Sequence, residues 1–211
     1  MSRKVRFAIA LLAVVFVAVS CKDGAPIIGK KKQDSTKAHI QIVQVLAADT
    51  NDRPEAADKA NQESQKIKQA LDRYYQAAFL DPGKQLDLNP HFTAEAQPGL
   101  PPNVGALALG DIAPKLERVV PKKQEATKVS FLIEEDLSAP VAIATVLFEA
   151  TGEAKEKADG PVAITHNATF WFQPEGDGYK ISAYTVELKA DTETKKAAFG
   201  VPAGELSGGR L

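Results

Sequence analysis

The 211-residue chain predicts an α+β fold, a long N-terminal helix packed on an antiparallel sheet of about four strands, and three observations carry the prediction. Residues 51–80 are rich in Ala, Gln, Glu, Asp and Lys, which favour helix. Four later segments, Thr127–Glu135, Val141–Thr151, Val162–Gln173 and Tyr179–Ala190, are dense in Val, Ile, Thr and aromatic residues. The connections between them are short enough for neighbouring strands to run antiparallel. A helical segment followed by a meander of strands implies a helix covering one sheet face.

The helix has a start, a face and a stop. Asp52 and Glu55 stand at capping-box spacing, and Pro54 suits a first turn. Ile67, Ala70, Leu71, Tyr74, Tyr75 and Ala78 recur at steps of three and four, so the second half packs and the first half is solvated. Asp81-Pro82-Gly83 ends it near Leu80. Residues 84–121 hold Pro90, Pro98, Pro101, Pro102, Pro114 and Pro121, which exclude a long helix. Brief helical turns are expected at Val104–Leu109 and Asp111–Val119, with Asp111 capping the second.

Among the strand connections, Pro174-Glu175-Gly176-Asp177-Gly178 has hairpin-turn composition, and residues 152–160 form a charged exposed tip. The predicted domain spans residues 51–195, and residues 196–211 form a polar flexible tail. His39–Leu46 alternates only in part and reads either as a short strand or as linker.

The N-terminus carries an address. Arg3, Lys4 and Arg6 precede the apolar run Phe7–Val19, which is shorter than the about 20 residues a membrane-spanning helix needs and matches the core of a secretory signal. Residues 1–20 therefore read as a signal peptide cut between Ser20 and Cys21. Ala18, Val19 and Ser20 fit an ordinary signal peptidase, which would leave a free Cys21. Ala18-Val19-Ser20-Cys21 also resembles the bacterial lipobox, differing from the commonest pattern at Ala18, where leucine is usual. That resemblance implies acylation of Cys21 and anchorage of an extracytoplasmic chain to the bacterial membrane. Cys21 is the only cysteine, so an exported chain has no disulfide partner for it, and acylation would consume the thiol. Residues 21–50 then form the acylated cysteine and a flexible tether; its lysines at 30–32 read as solvated linker.

Charge and motifs exclude several function classes. The 26 basic residues nearly balance the 27 acidic ones, and removal of Arg3, Lys4 and Arg6 with the signal leaves the chain mildly acidic. Nucleic acid is not the expected partner, because phosphate binding needs a concentrated basic footprint. There is no Walker loop, Gly-x-Ser-x-Gly or Cys-x-x-Cys, and no cofactor or metal is expected. His39, His91 and His166 are scattered, while a metal site needs convergent ligands. His166 falls on the apolar side of the strand alternation Val162, Ile164, His166, Ala168, Phe170, Phe172, where a hydrogen-bonded core histidine is the commoner outcome. Glu134, Glu135 and Asp136 read as a solvated turn, and Asn167-Ala168-Thr169 matches a glycosylation triplet that is uninformative in a bacterial export context.

The order of elements over about residues 60–190 resembles the nuclear-transport-factor-like, or cystatin-like, cone, in which a curved sheet wraps a long helix. It is also similar to small extracytoplasmic domains of actinobacterial envelope proteins, including those associated with mammalian-cell-entry systems. The cone resemblance implies a concave face on which Tyr74, Tyr75, His166, Trp171 and Tyr184 could line a pocket. Two functions follow as expectations. The first is a non-enzymatic binding or interaction module of the cell envelope, taking an envelope protein or a small apolar ligand. The second is an isomerase- or dehydratase-type enzyme using His166 and a tyrosine.

Overall fold

The computed structural model describes residues 37–49, 53–97, 105–133, 140–156, 158–191 and 193–201. Cys21, the signal segment, most of the tether, Asp52, the carboxylates at 134–136 and the end of the tail lie outside them. In chain order the strands are β1 (Gln41–Ile42), β2 (Val45–Asp49), β3 (Leu116–Ile133), β4 (Val141–Ala154), β5 (Val162–Glu175), β6 (Gly178–Ala190) and β7 (Glu193–Phe199). Helix α1 (Pro54–Tyr75) lies between β2 and β3 and runs into a single π-helical turn, Gln76–Leu80.

This corrects the predicted fold class. The sheet has seven strands rather than about four, it is mixed rather than antiparallel, and strand takes half of the described residues against a quarter for helix. Strands β3 to β7 form an antiparallel meander, while β1 and β2 both lie parallel to β3 on its outer edge, with Gln41 opposite Glu125 and Val45 opposite Val129. The extra strands come from segments read as tether and tail. They are short edge strands that bury little, and a charged run on an edge blurs the two-residue alternation further. In β7, Lys195 and Lys196 have that role.

Strand β3 also starts eleven residues earlier than its predicted beginning, displacing the helical turn expected over Asp111–Val119. A 3-10 segment, Gly110–Lys115, takes part of that stretch. Pro121 is tolerated because it sits beside a bulge, in a part of β3 that β1 and β2 do not reach, so its missing N–H breaks no ladder on that side.

Helix α1 begins with Pro54 at its first position and Glu55 in the first turn, a placement that suits the positive end of the helix dipole. Its buried stripe is longer than predicted. Ala56, Ala60, Glu63 and Ser64 continue the line of Ile67, Ala70, Leu71, Tyr74 and Tyr75, so the first half packs as well. The early stripe is hard to read because it uses small residues and one carboxylate. Glu63 is buried between the Lys59 and Lys66 ammoniums at 3.2 and 3.1 Å. Burial opposes its charge, but the two lysines outweigh that cost and hold the carboxyl below its usual range.

The core fills the space between α1 and one face of the sheet. Ala144, Val146 and Phe148 of β4, Ile164, Ala168 and Phe170 of β5, and Tyr184, Val186 and Leu188 of β6 all point into it. The π turn adds Ala78, Phe79 and Leu80. Gln76 anchors the turn to the first edge: its Oε1 accepts from the Ala38 N–H at 2.9 Å, and its Nε2 donates to Asp81 at 2.9 Å. One turn earlier, Asp72 accepts from the Ile40 N–H at 2.6 Å and from Lys68 at 2.5 Å. Two polar side chains thus fix where the chain enters β1. Gly152 lets β4 pass close to β3, since a Cβ there would lie 2.8 Å from a Leu116 methyl.

Candidate functional site

His166 and three of the tyrosines predicted to line a pocket do come together. They meet inside the core. His166 is fully buried on β5, opposite Phe148 of β4 and Leu188 of β6. The Tyr75 hydroxyl lies 2.9 Å from its Nδ1. The Phe79 ring centroid is 4.8 Å away, the Tyr75 ring 5.7 Å and the Phe170 ring 6.4 Å. Tyr75 in turn stacks on Phe79 and Phe148.

The environment of His166 sets its protonation state. Burial pushes its pKa down to about 3, only partly opposed by the Ala106 carbonyl, so the imidazole is neutral near pH 7. A neutral ring has one donor and one acceptor. The self-consistent arrangement has Tyr75 donating to Nδ1 and Nε2–H facing the Ala106 carbonyl, although that last pair falls short of hydrogen-bond geometry. Such a histidine is a weak base sealed from solvent.

The tyrosines are equally committed to packing. Tyr74 donates to the Leu107 carbonyl at 2.5 Å and meets Tyr75 and Phe170 edge-on, each at 5.1 Å. Burial raises the pKa of Tyr74 and Tyr75 well above the usual phenol range. Tyr184 stands across Phe92 from Tyr74, 5.8 Å from the Phe92 ring, and stacks on Phe199 of β7. Trp171 does not join them. Its neighbours Phe170 and Phe172 both belong to the core, so alternation turns Trp171 to the opposite face, beside Ala183. The pocket implied by the cone resemblance is therefore occupied by the protein's own rings, without Trp171.

Open concavities lie elsewhere. On the sheet face away from α1, a depression of about 670 Å³ is bordered by Thr145, Asn167, Thr169, Thr185, Glu187 and Lys196. Register aligns Thr145, Thr169 and Thr185 in one row across β4, β5 and β6. Glu187 is held below the usual carboxylate range by Lys196 and Lys189.

A second groove, of about 440 Å³, opens between α1 and the β5–β6 hairpin. Its helical wall is Lys66, Gln69, Ala70 and Arg73, one face of α1 at steps of three and four, and its floor includes Phe172 and Ile181. His91 closes one side. Burial and the charge of Arg73 lower the His91 pKa, leaving a neutral imidazole at the groove wall. Tyr179 lines the hairpin side with its hydroxyl buried against Glu63 but outside hydrogen-bond geometry. Burial and the Glu63 charge raise its pKa well above the usual phenol range. The helical spacing of Lys66, Gln69 and Arg73 was visible in the sequence; their meeting with the hairpin was not.

Among the described residues no cluster of His, Cys, Asp and Glu is arranged to hold a metal ion, and no helix is long and apolar enough to cross a membrane. Compared with protein-family models, curated proteins and solved structures, the chain finds no match.

Proposed function

We propose that the chain is an extracytoplasmic lipoprotein, anchored to the bacterial membrane through acylated Cys21, whose domain is a non-enzymatic binding or interaction module of the cell envelope. The observation that carries the second half is the filled helix side of the sheet. An isomerase or dehydratase needs its base to reach substrate within hydrogen-bond distance. His166 and Tyr75 form a suitable pair chemically, but both are fully buried and face each other and neighbouring rings. What remains for recognition is surface: the open sheet face and the groove beside α1. The anchor rests on the basic start, the Phe7–Val19 run and the solitary Cys21.

Two measurements test this. Metabolic acyl labelling should mark the wild-type chain and not Cys21→Ala, and globomycin should cause precursor to accumulate; an unlabelled wild type sinks the anchor. Photo-crosslinking from position 145 or 185 in cells should capture a defined envelope component. Isomerase or dehydratase turnover that disappears in both His166→Gln and Tyr75→Phe would reverse the reading of the domain.

A further inference from the structure

The groove between α1 and the β5–β6 hairpin has the makings of a binding site for one kind of molecule. Its floor includes buried Phe172 and Ile181, with the small Ala70 leaving room beside them. Its rim carries three cations with different commitments. Lys66 is paired with Glu63, and Lys180 with Glu175. Arg73 has no ion pair among the described residues; its guanidinium lies over Gly178, where an added Cβ would be 3.8 Å from Nη2. His91, neutral and half-buried, faces the same space. The one acidic lining residue besides Glu175 is Asp177, exposed at the hairpin turn.

A planar guanidinium without a carboxylate partner, next to an imidazole that can donate a hydrogen bond, matches an oxyanion. An apolar floor beneath it matches a hydrocarbon stem. The volume falls within the about 300–1,000 Å³ usual for small-molecule sites. We infer that this groove binds an anionic amphiphile, its carboxylate or phosphate head held by Arg73 and His91 and its apolar stem lying over Phe172 and Ile181. This deepens the binding-module reading and is independent of the lipid anchor.

Calorimetric titration of the purified chain with four probes tests it: dodecanoate, inorganic phosphate, dodecanol and phosphatidylglycerol vesicles. Dodecanoate should bind saturably, inorganic phosphate more weakly, and dodecanol not at all. Loss of one charge-assisted contact in Arg73→Gln should weaken dodecanoate roughly tenfold or more, while Lys122→Gln, exposed on β3 and outside both concavities, leaves it unchanged. Arg73 is exposed, so the variant should keep the wild-type circular dichroism spectrum. Vesicle binding in addition to dodecanoate, also lost in Arg73→Gln, would identify a bilayer lipid as the source of the head group. Equal binding by Arg73→Gln, equal binding of dodecanol, vesicle binding without dodecanoate binding, or no saturable dodecanoate binding would each overturn the inference. A captured envelope partner alongside any of those results would leave the interaction-module reading standing.

Discussion

Replacing His166 by Gln should remove a specific part of the domain's acid sensitivity. The folded protein holds the ring neutral down to about pH 3, whereas the unfolded chain takes up a proton near pH 6.5. Above pH 6.5 neither state is charged and the group adds no pH dependence. As pH falls below 6.5, the unfolded state binds a proton that the native state refuses, so stability is lost through the window between the two pKa values. Each unit inside it costs about 1.4 kcal/mol, which makes the loss between pH 7 and pH 5 about 2 kcal/mol from this group alone. Urea unfolding followed by far-ultraviolet circular dichroism at both values measures it. The wild type should lose about 2 kcal/mol more than His166→Gln over that interval, whatever the variant costs at pH 7. Comparison of the two slopes cancels the other groups, including His91, whose lowered pKa acts in the same direction. Parallel losses in the two proteins would refute the claim that His166 is buried and neutral.

Three further outcomes follow from the geometry. Tyr75→Phe removes the hydroxyl 2.9 Å from His166 Nδ1 and strands a buried nitrogen, so urea unfolding at pH 7 should show a loss of about 1–3 kcal/mol. Gly152→Ala places a methyl against the Leu116 side chain and should cost about 1–3 kcal/mol in the same assay; a neutral result would mean that Leu116 swings aside freely. Asp72→Ala frees the Ile40 N–H and should speed hydrogen exchange across residues 38–42 while leaving β5 protected.

Legibility in the sequence followed burial. Strands β4, β5 and β6 are framed by core on one side and carry dense β-branched and aromatic residues, so their positions stand out. Strands β1, β2 and β7 are short edges with little to bury, and their pairing is decided by partners far along the chain. Parallel pairing of β2 with β3 leaves no local trace at all. At the site, alternation correctly puts His166 on the apolar side and, applied to the same strand, excludes Trp171 from it. Aromatic identity drew Trp171 into the predicted pocket against its own register. Arg73 does not stand out in the sequence, because an arginine on a solvated helix face is ordinary; only the hairpin beside it makes the position distinctive.

The parallel first edge also constrains the order in which the molecule can form. The His39 N–H is bonded to the Gln124 side chain, 85 residues away, and β2 has no strand partner until β3 exists. Loop-closure entropy delays such contacts relative to hairpins. A chain emerging from its N-terminus therefore makes its edge strand first and docks it only after α1 and β3 have followed. Until then, the segment that precedes α1 has no strand to pair with among the described residues.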